Sequence, residues 1–186
     1  MYRMSIITLL TPPSLAPRLD LPRCMKMCLI HDMAESLVGD ITPVDGVPKL
    51  EKSAREAKTI DFISDDLLGG VYGGVAGAEL KAIWHEYEAS ETLEARFVHD
   101  VDKMELLLQM FEYEKRAGGV LDLNEFAYVE KKIELEEVRK WAKELLRERA
   151  AFWKEVEREK GVTVGPVAEE HKKKQDEYYE KVPGSG

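Results

Sequence analysis

An imidazole and several carboxylates lie close together in one short stretch of the sequence. His31 and Asp32 are adjacent, Glu35 follows three residues after Asp32, and Asp40 comes five residues later. On a helix, residues three and four apart share a face, so Glu35 is expected beside both His31 and Asp32. Imidazole nitrogen and carboxylate oxygen are common metal ligands. The stretch therefore predicts a divalent-metal site.

The same residues also allow an interpretation without a metal. His31 would then donate to a backbone carbonyl, and Asp32 would pair with a lysine. Asp32 follows Cys28 by four residues, which points its carboxylate toward an apolar side where an uncompensated charge is costly. Because Glu35 and Asp40 add two more carboxylates, we favour the metal site.

A further candidate ligand, Asp102, lies on a later predicted helix. Apolar residues recur there every three or four positions, at Leu93, Phe97, Val101, Met104, Leu108 and Phe111. That spacing predicts a helix over residues 92–115 with one face in the core. Asp102 lies beside this face, and aspartate is rarely buried unpaired. Lys103 or Arg96 could neutralise it, but two acidic helices favour a metal ion held between them.

The elements that must position these residues are predicted to be helices. We expect helices over residues 1–10, 49–68, 78–89 and 135–160, and one that Asp20 caps, that runs to about Val38 and that ends at Gly39. Residues 40–48 form a loop and the glycine-rich residues 69–77 a connector. Residues 49–68 are heavily charged, and we expect their outer face to be solvated.

Length, composition and charge limit the possible classes of protein. The chain has 186 residues, 44% hydrophobic and 34% charged, which predicts one soluble helical domain over residues 1–160 and a polar, disordered tail over 161–186. A net charge of −9 argues against nucleic acid polymers as partners.

Cysteine content and hydropathy indicate the compartment. Cys24 and Cys28 resemble core residues, and no disulfide framework is visible, which predicts a reducing compartment: the cytoplasm, with the nucleus as the alternative. The apolar residues 4–10 predict a helix, with a secretion signal as the alternative. No segment approaches the length needed to cross a membrane.

Three motifs together resemble one enzyme family. They are His31-Asp32-Met33-Ala34-Glu35, Val38-Gly39-Asp40-Ile41, and Phe97-Val98-His99-Asp100-Val101-Asp102-Lys103. They resemble the HD-domain 5′-deoxynucleotidases, close to the eukaryotic HD-domain-containing protein 2 group, and the likeness covers residues 1–153. It implies an all-α HD-domain helical bundle and hydrolysis of deoxyribonucleoside 5′-monophosphates with a divalent cation, Mn²⁺, Co²⁺ or Mg²⁺. It also implies a homodimer.

The resemblance assigns roles to individual residues. His31, Asp32 and Asp102 would bind the principal metal, and Glu35 would be the catalytic acid or base. Some members of the family hold a second cation, and there Glu35, Asp40 and the backbone carbonyl of Ile41 would be its ligands. Asp40 would also be catalytic. The nucleotide would be contacted by Asp32, Asp40, Ile41, Thr42, Pro43 and Asp102.

One departure from the family pattern lowers the expected metal affinity. In the family, a histidine that is the first metal ligand precedes the residue that corresponds to Met1, and an Arg and a Trp or Tyr further upstream hold the substrate. The sequence contains neither these residues nor the first helix or helices that carry them. The absent histidine therefore leaves open a non-catalytic module that binds a nucleotide or a partner helix. A phosphodiesterase is a second alternative, because HD domains also cleave diesters.

Overall fold

The fold was analysed in a computed structural model, which describes residues 1–42 and 45–179. Within these ranges the chain forms helices, turns and loops and contains no β-strand. The predicted all-α class is therefore confirmed. Internal contacts divide the chain into two compact units, Met1–Val98 and His99–Glu180. No helix in the described ranges is long and apolar enough to cross a bilayer.

The described part of the first unit holds five α-helices and the start of the next one, and it carries most of the predicted site. The five helices are α1 (Tyr2–Leu9), α2 (Leu21–Ile30), α3 (Glu35–Val38), α4 (Lys49–Asp61) and α5 (Val75–Ala89). Helix α4 continues into a π-helical segment, Phe62–Leu67, and short 3₁₀ helices cover Ala16–Arg18 and Val71–Gly74. Helix α2 packs against α1 and α5, and α3 packs against α4.

The start of α2 follows the sequence prediction. The Asp20 side chain accepts a hydrogen bond from the Arg23 amide at 3.0 Å, and Pro22 occupies the first turn, where its missing N–H leaves no donor unsatisfied. Cys24 and Cys28 are fully buried, as expected of small core residues. The cap therefore fixes where the helix that leads into the site begins.

The end of α2 differs from the prediction of one helix to Val38. Helix α2 ends at Ile30, residues 31–34 form turns, and α3 starts only at Glu35. The carbonyl of Cys28, which would accept from residue 32 in a continuous α-helix, faces Nδ1 of His31 at 3.0 Å. Later amides bond three residues back, as Glu35 does to Asp32 at 3.0 Å. The polar residues thus sit in a tightened turn.

The glycine-rich connector between α4 and α5 allows a close backbone contact. It contains the 3₁₀ turn, and α5 begins at Val75, three residues earlier than predicted. A Cβ atom at Gly77 would lie 2.1 Å from the carbonyl oxygen of Ser64, so only glycine lets α5 approach the π-helical segment this closely. The segment therefore has a packing role.

The second unit is built on a long helix. Helix α6 (Leu93–Arg116) crosses the boundary between the units after Val98, and a 3₁₀ helix (Asn124–Lys132), α7 (Glu136–Lys160) and α8 (Glu169–Tyr179) complete the second unit. The predicted core face of α6 is confirmed at Phe97, Val101, Met104 and Phe111, which are buried.

A fully buried carboxylate, Glu114, joins α6 to α7. It accepts two hydrogen bonds of 2.7 Å from the Arg149 guanidinium and one of 3.0 Å from Nε1 of Trp153. The backbone amide of Leu123 donates a fourth, also at 3.0 Å. Every oxygen lone pair that burial removes from water is therefore compensated.

A second buried carboxylate, Asp100, holds the start of α7. Its oxygens accept from the amides of Glu134 and Leu135, with the shortest contact 2.6 Å, and Lys103 lies 3.3 Å away. These amides precede the first turn of α7, where backbone N–H groups have no partner within the helix. Asp100 thus serves as a cap supplied by another helix.

The predicted disordered tail differs from the structure over residues 169–179, which form α8. Asp176 on this helix pairs with Lys132 and accepts from the Tyr128 hydroxyl at 3.1 Å. Gln175 donates to the carbonyl of Glu125. These polar contacts to the 3₁₀ helix order a segment that its composition alone does not predict to fold.

Candidate functional site

His31 occupies the centre of the candidate site and is almost fully buried. Its side chain is 1% exposed, and its ring lies 5.0 Å from the ring of Tyr87 on α5. Nδ1 faces the Cys28 carbonyl at 3.0 Å, which in a neutral ring places the proton on that nitrogen. Nε2 then presents its lone pair in the opposite direction, toward Asp32.

The pair of His31 and Asp32 fits a shared cation. Nε2 of His31 lies 3.0 Å from Oδ2 of Asp32, so two acceptor atoms face each other unless a proton or a cation lies between them. Adjacent ligands of an octahedral ion, each at about 2.1 Å, are about 3.0 Å apart. Histidine ligands also commonly donate their other N–H to a backbone carbonyl, as His31 does. The residues present therefore fit a divalent metal.

Asp32 remains ionised in this arrangement. Burial alone would raise the pKa of Asp32, but when Nε2 of His31 is protonated as well, its hydrogen bond and its positive charge outweigh burial and hold the pKa below its ordinary value. A cation bound at the same point would act in the same direction. A carboxylate that keeps its charge is a better ligand for a hard cation. The side chain is 42% exposed, so an incoming ion or phosphate can reach it.

Glu35 begins α3 and has an unusual protonation equilibrium. Burial raises the pKa of Glu35 to about 7, and the negative charges of Asp32 and Asp40 add to this effect, while Lys52 opposes it. The side chain is 23% exposed. A carboxyl group that titrates near neutral pH can both take up and release a proton under working conditions.

Two charged residues of α4 that the sequence analysis left out belong to this site. Lys52 lies 3.7 Å from Glu35 and 3.6 Å from Glu56, and it donates to the Ile41 carbonyl at 3.0 Å. Glu56 is 8% exposed, and burial raises its pKa. Both residues share a helix face with the buried Ile60: Glu56 lies four positions before it and Lys52 eight. The prediction that the outer face of this helix is solvated does not cover these two residues, because they lie on its buried face.

The loop after α3 brings one of the predicted nucleotide contacts, Ile41, next to Lys52 and Glu35. Gly39 ends the helix with a φ of 80°, and Asp40 is exposed, while Ile41 is held by Lys52 through its carbonyl. Thr42 donates from its amide and its hydroxyl to Asp45, at 2.7 and 2.6 Å. Pro43 lies outside the residues that the structure describes.

Asp102, the remaining predicted ligand, belongs to the second unit. It is half-buried on α6, two residues after the capping carboxylate Asp100. Its part in metal binding stays a prediction. Across the described ranges, no three His, Cys, Asp or Glu side chains are grouped closely enough to hold a metal ion by themselves.

Comparisons with known proteins give a consistent family. The sequence profile of the HD domain family matches residues 1–141. The 5′-deoxynucleotidase hdd1 of Schizosaccharomyces pombe is 41% identical over 160 residues, which make up 86% of this chain and 79% of that protein.

Solved structures extend the likeness to the fold. The HD domain-containing protein YGK1 has a TM-score of 0.67 at 35% identity, covering 82% of this chain and 76% of that one. A predicted metal-dependent phosphohydrolase from Magnetospirillum magnetotacticum has a TM-score of 0.57 at 27% identity, covering 81% and 77%.

Proposed function

The chain belongs to the HD domain family, and on this premise we propose that it is a 5′-deoxynucleotidase, which hydrolyses deoxyribonucleoside 5′-monophosphates with the help of a divalent cation. HD domain phosphohydrolases are generally dependent on divalent metals. The relatives that support the substrate class share about two fifths of their residues with this chain over most of its length.

The observation that carries the proposal is the arrangement of His31, Asp32 and Glu35 at the junction of α2 and α3. The first two present facing acceptor atoms 3.0 Å apart, and the third titrates near neutral pH. A bound divalent cation would lower the pKa of a water molecule and offset charge on the phosphoryl oxygens. His31 and Asp32 would hold that cation, and Asp102 is proposed as a further ligand.

Glu35 has the properties needed for the proton transfer. In its ionised form it would accept a proton from the attacking water, and in its protonated form it would donate one to the leaving 5′ oxygen. Asp40 lies two residues after α3 ends and is exposed, so we propose that it contacts the sugar end of the nucleotide together with the backbone at Ile41 and Thr42.

Three finer features belong to the same proposal. We propose Mn²⁺, Co²⁺ or Mg²⁺ as the cation, because carboxylate-rich sites suit hard ions. A cytoplasmic location fits the buried free thiols of Cys24 and Cys28. We propose a homodimer because of the likeness to the family.

The decisive experiment is a phosphate-release assay on purified protein. We expect dAMP and other deoxynucleoside monophosphates to be hydrolysed with Mn²⁺ or Co²⁺, and the activity to disappear on addition of EDTA and return with excess metal. Cyclic nucleotides serve as the comparison substrates. Nucleotide binding without phosphate release would favour the non-catalytic module, and cleavage of the cyclic nucleotides alone would favour the phosphodiesterase.

The role of Asp102 is tested separately by Asp102→Asn. Replacing a ligating carboxylate with a neutral amide should weaken Mn²⁺ binding by at least about tenfold, the lower end of the effect seen even for outer-shell partners. Titration calorimetry on the metal-free protein measures the affinity. Glu112→Gln is the control, because Glu112 is also half-buried on the same helix but lies ten residues away. An unchanged affinity for Asp102→Asn would remove this residue from the ligand set.

A further inference from the structure

The ammonium group of Lys52 is surrounded by oxygen atoms from three different elements. Nζ lies 3.0 Å from the carbonyl oxygen of Ile41 in the loop, 3.7 Å from Oε1 of Glu35 on α3 and 3.6 Å from Oε1 of Glu56 on α4. The side chain is only 16% exposed. A cation is therefore already bound at this point, and it is covalently attached to the protein.

The surrounding atoms are those that a hard divalent ion would take as ligands. One backbone carbonyl and two carboxylates form a typical oxygen set for Mg²⁺ or Mn²⁺. Two of these groups, Glu35 and the Ile41 carbonyl, are also two of the three predicted to bind a second cation. The place predicted for that ion is thus the place that the lysine ammonium occupies.

We propose that Lys52 is a tethered cation that replaces a second divalent ion, so that this chain binds a single metal ion, at His31 and Asp32. The proposal rests on the proposed function, because it assumes the metal at that pair. Lys52 and a divalent ion cannot share the position, since two cations a few ångström apart repel strongly where water is largely excluded. The lysine also joins α3, the loop and α4 without any metal.

The positive charge of Lys52 acts on the same carboxylates that a second ion would affect. Burial raises the pKa of both Glu35 and Glu56, and the positive charge of Lys52 limits both increases. Removing the ammonium would leave two partly buried carboxylates and a carbonyl without their shared cation. Partly buried carboxylates without a nearby cation are costly in free energy. A divalent ion from solution would then bind there and compensate their negative charge.

The number of bound metal ions tests the proposal. Metal-free protein is titrated with Mn²⁺ by calorimetry, and the bound metal is counted by elemental analysis after gel filtration. We expect one ion per chain for the unmodified protein and two for Lys52→Met. Lys58→Met is the matched control, because it removes an exposed lysine from the same helix, and it should keep one ion.

Each outcome decides the question. Two ions in the unmodified protein, or no additional ion in Lys52→Met, would overturn the role of Lys52. If Lys52→Met does not fold by circular dichroism, Lys52→Gln takes its place, and the count for the unmodified protein needs no variant. Failure of the unmodified protein to bind any ion would instead contradict the proposed function. If the unmodified protein binds no ion but Lys52→Met binds one, the role of Lys52 is still supported. If neither protein binds an ion, that role is refuted.

Discussion

Replacing Glu35 with glutamine should lower kcat for deoxynucleotide hydrolysis by about 10²- to 10⁴-fold, the usual contribution of a general acid or base. Glutamine keeps the shape of the side chain but cannot exchange a proton. The fold should survive, because Glu35 lies at the start of α3 with a partly exposed side chain and no place in the apolar core. Initial rates of phosphate release from dAMP at saturating Mn²⁺ measure the effect.

The matched control is Glu51→Gln on α4, where an exposed glutamate pairs with Arg55 on the surface. That variant should keep the parental rate. Glu35→Gln should still bind metal at His31 and Asp32, so a lost rate with retained metal assigns the proton transfer to Glu35. A parental rate in Glu35→Gln would show that another group moves the proton.

A pH titration of stability gives an independent readout for Glu35. Because burial raises its pKa from 4.5 to about 7, the folded state holds this proton more tightly than the unfolded state. The stabilisation from the bound proton is therefore complete below the unfolded pKa and is lost as pH rises through about 7. Metal-free protein should melt at a lower temperature at pH 8 than at pH 5.5, and Glu35→Gln should reduce that difference.

The second large effect is expected from Glu114→Ala in the second unit. It should lower the free energy of unfolding by about 3–5 kcal/mol, because the buried Arg149 guanidinium would lose the carboxylate that accepts its two 2.7 Å hydrogen bonds and would keep the weaker contact to Asp122 at 3.7 Å. The Trp153 indole and the Leu123 amide would lose their acceptor as well. Urea denaturation followed by circular dichroism measures the change.

A double substitution separates the destabilisation caused by a buried unpaired charge from the net contribution of the ion pair to stability. Glu114→Leu with Arg149→Met removes both charges, and this variant should be more stable than Glu114→Ala alone. Glu155→Ala provides the surface comparison, since its pair with Arg158 is exposed and should cost at most about 1 kcal/mol. An equally small cost for Glu114→Ala would mean that the buried network contributes little.

The periodic helices are the part of the fold that the sequence predicted well. The spacing of apolar residues located α6 and α7 to within a residue or two, and Asp20 with Pro22 located the start of α2. These features depend on local rules: a cap bonds to amides two or three residues away, and a helical face repeats every three or four residues. Such rules depend only on residues that are close together in the sequence.

The features that were missed depend on contacts between distant segments. Whether the charge on Lys52 is solvated or bound to Ile41, eleven residues away, depends on how the loop folds over α4. The spacing to Ile60 contained a signal, because it placed Lys52 and Glu56 on the buried face. The turn at residues 31–34 depends on one side-chain contact to a carbonyl, and α8 depends on polar contacts to residues over 40 positions earlier.

The cap that Asp100 provides makes the beginning of α7 dependent on a residue of α6. The amides it binds lie 34 and 35 residues along the chain, at a point where helices usually fray. Opening that end would strand a carboxylate that has no access to solvent. Fraying of the start of α7 is therefore coupled to the second turn of α6, because it breaks the hydrogen bonds that satisfy this buried carboxylate.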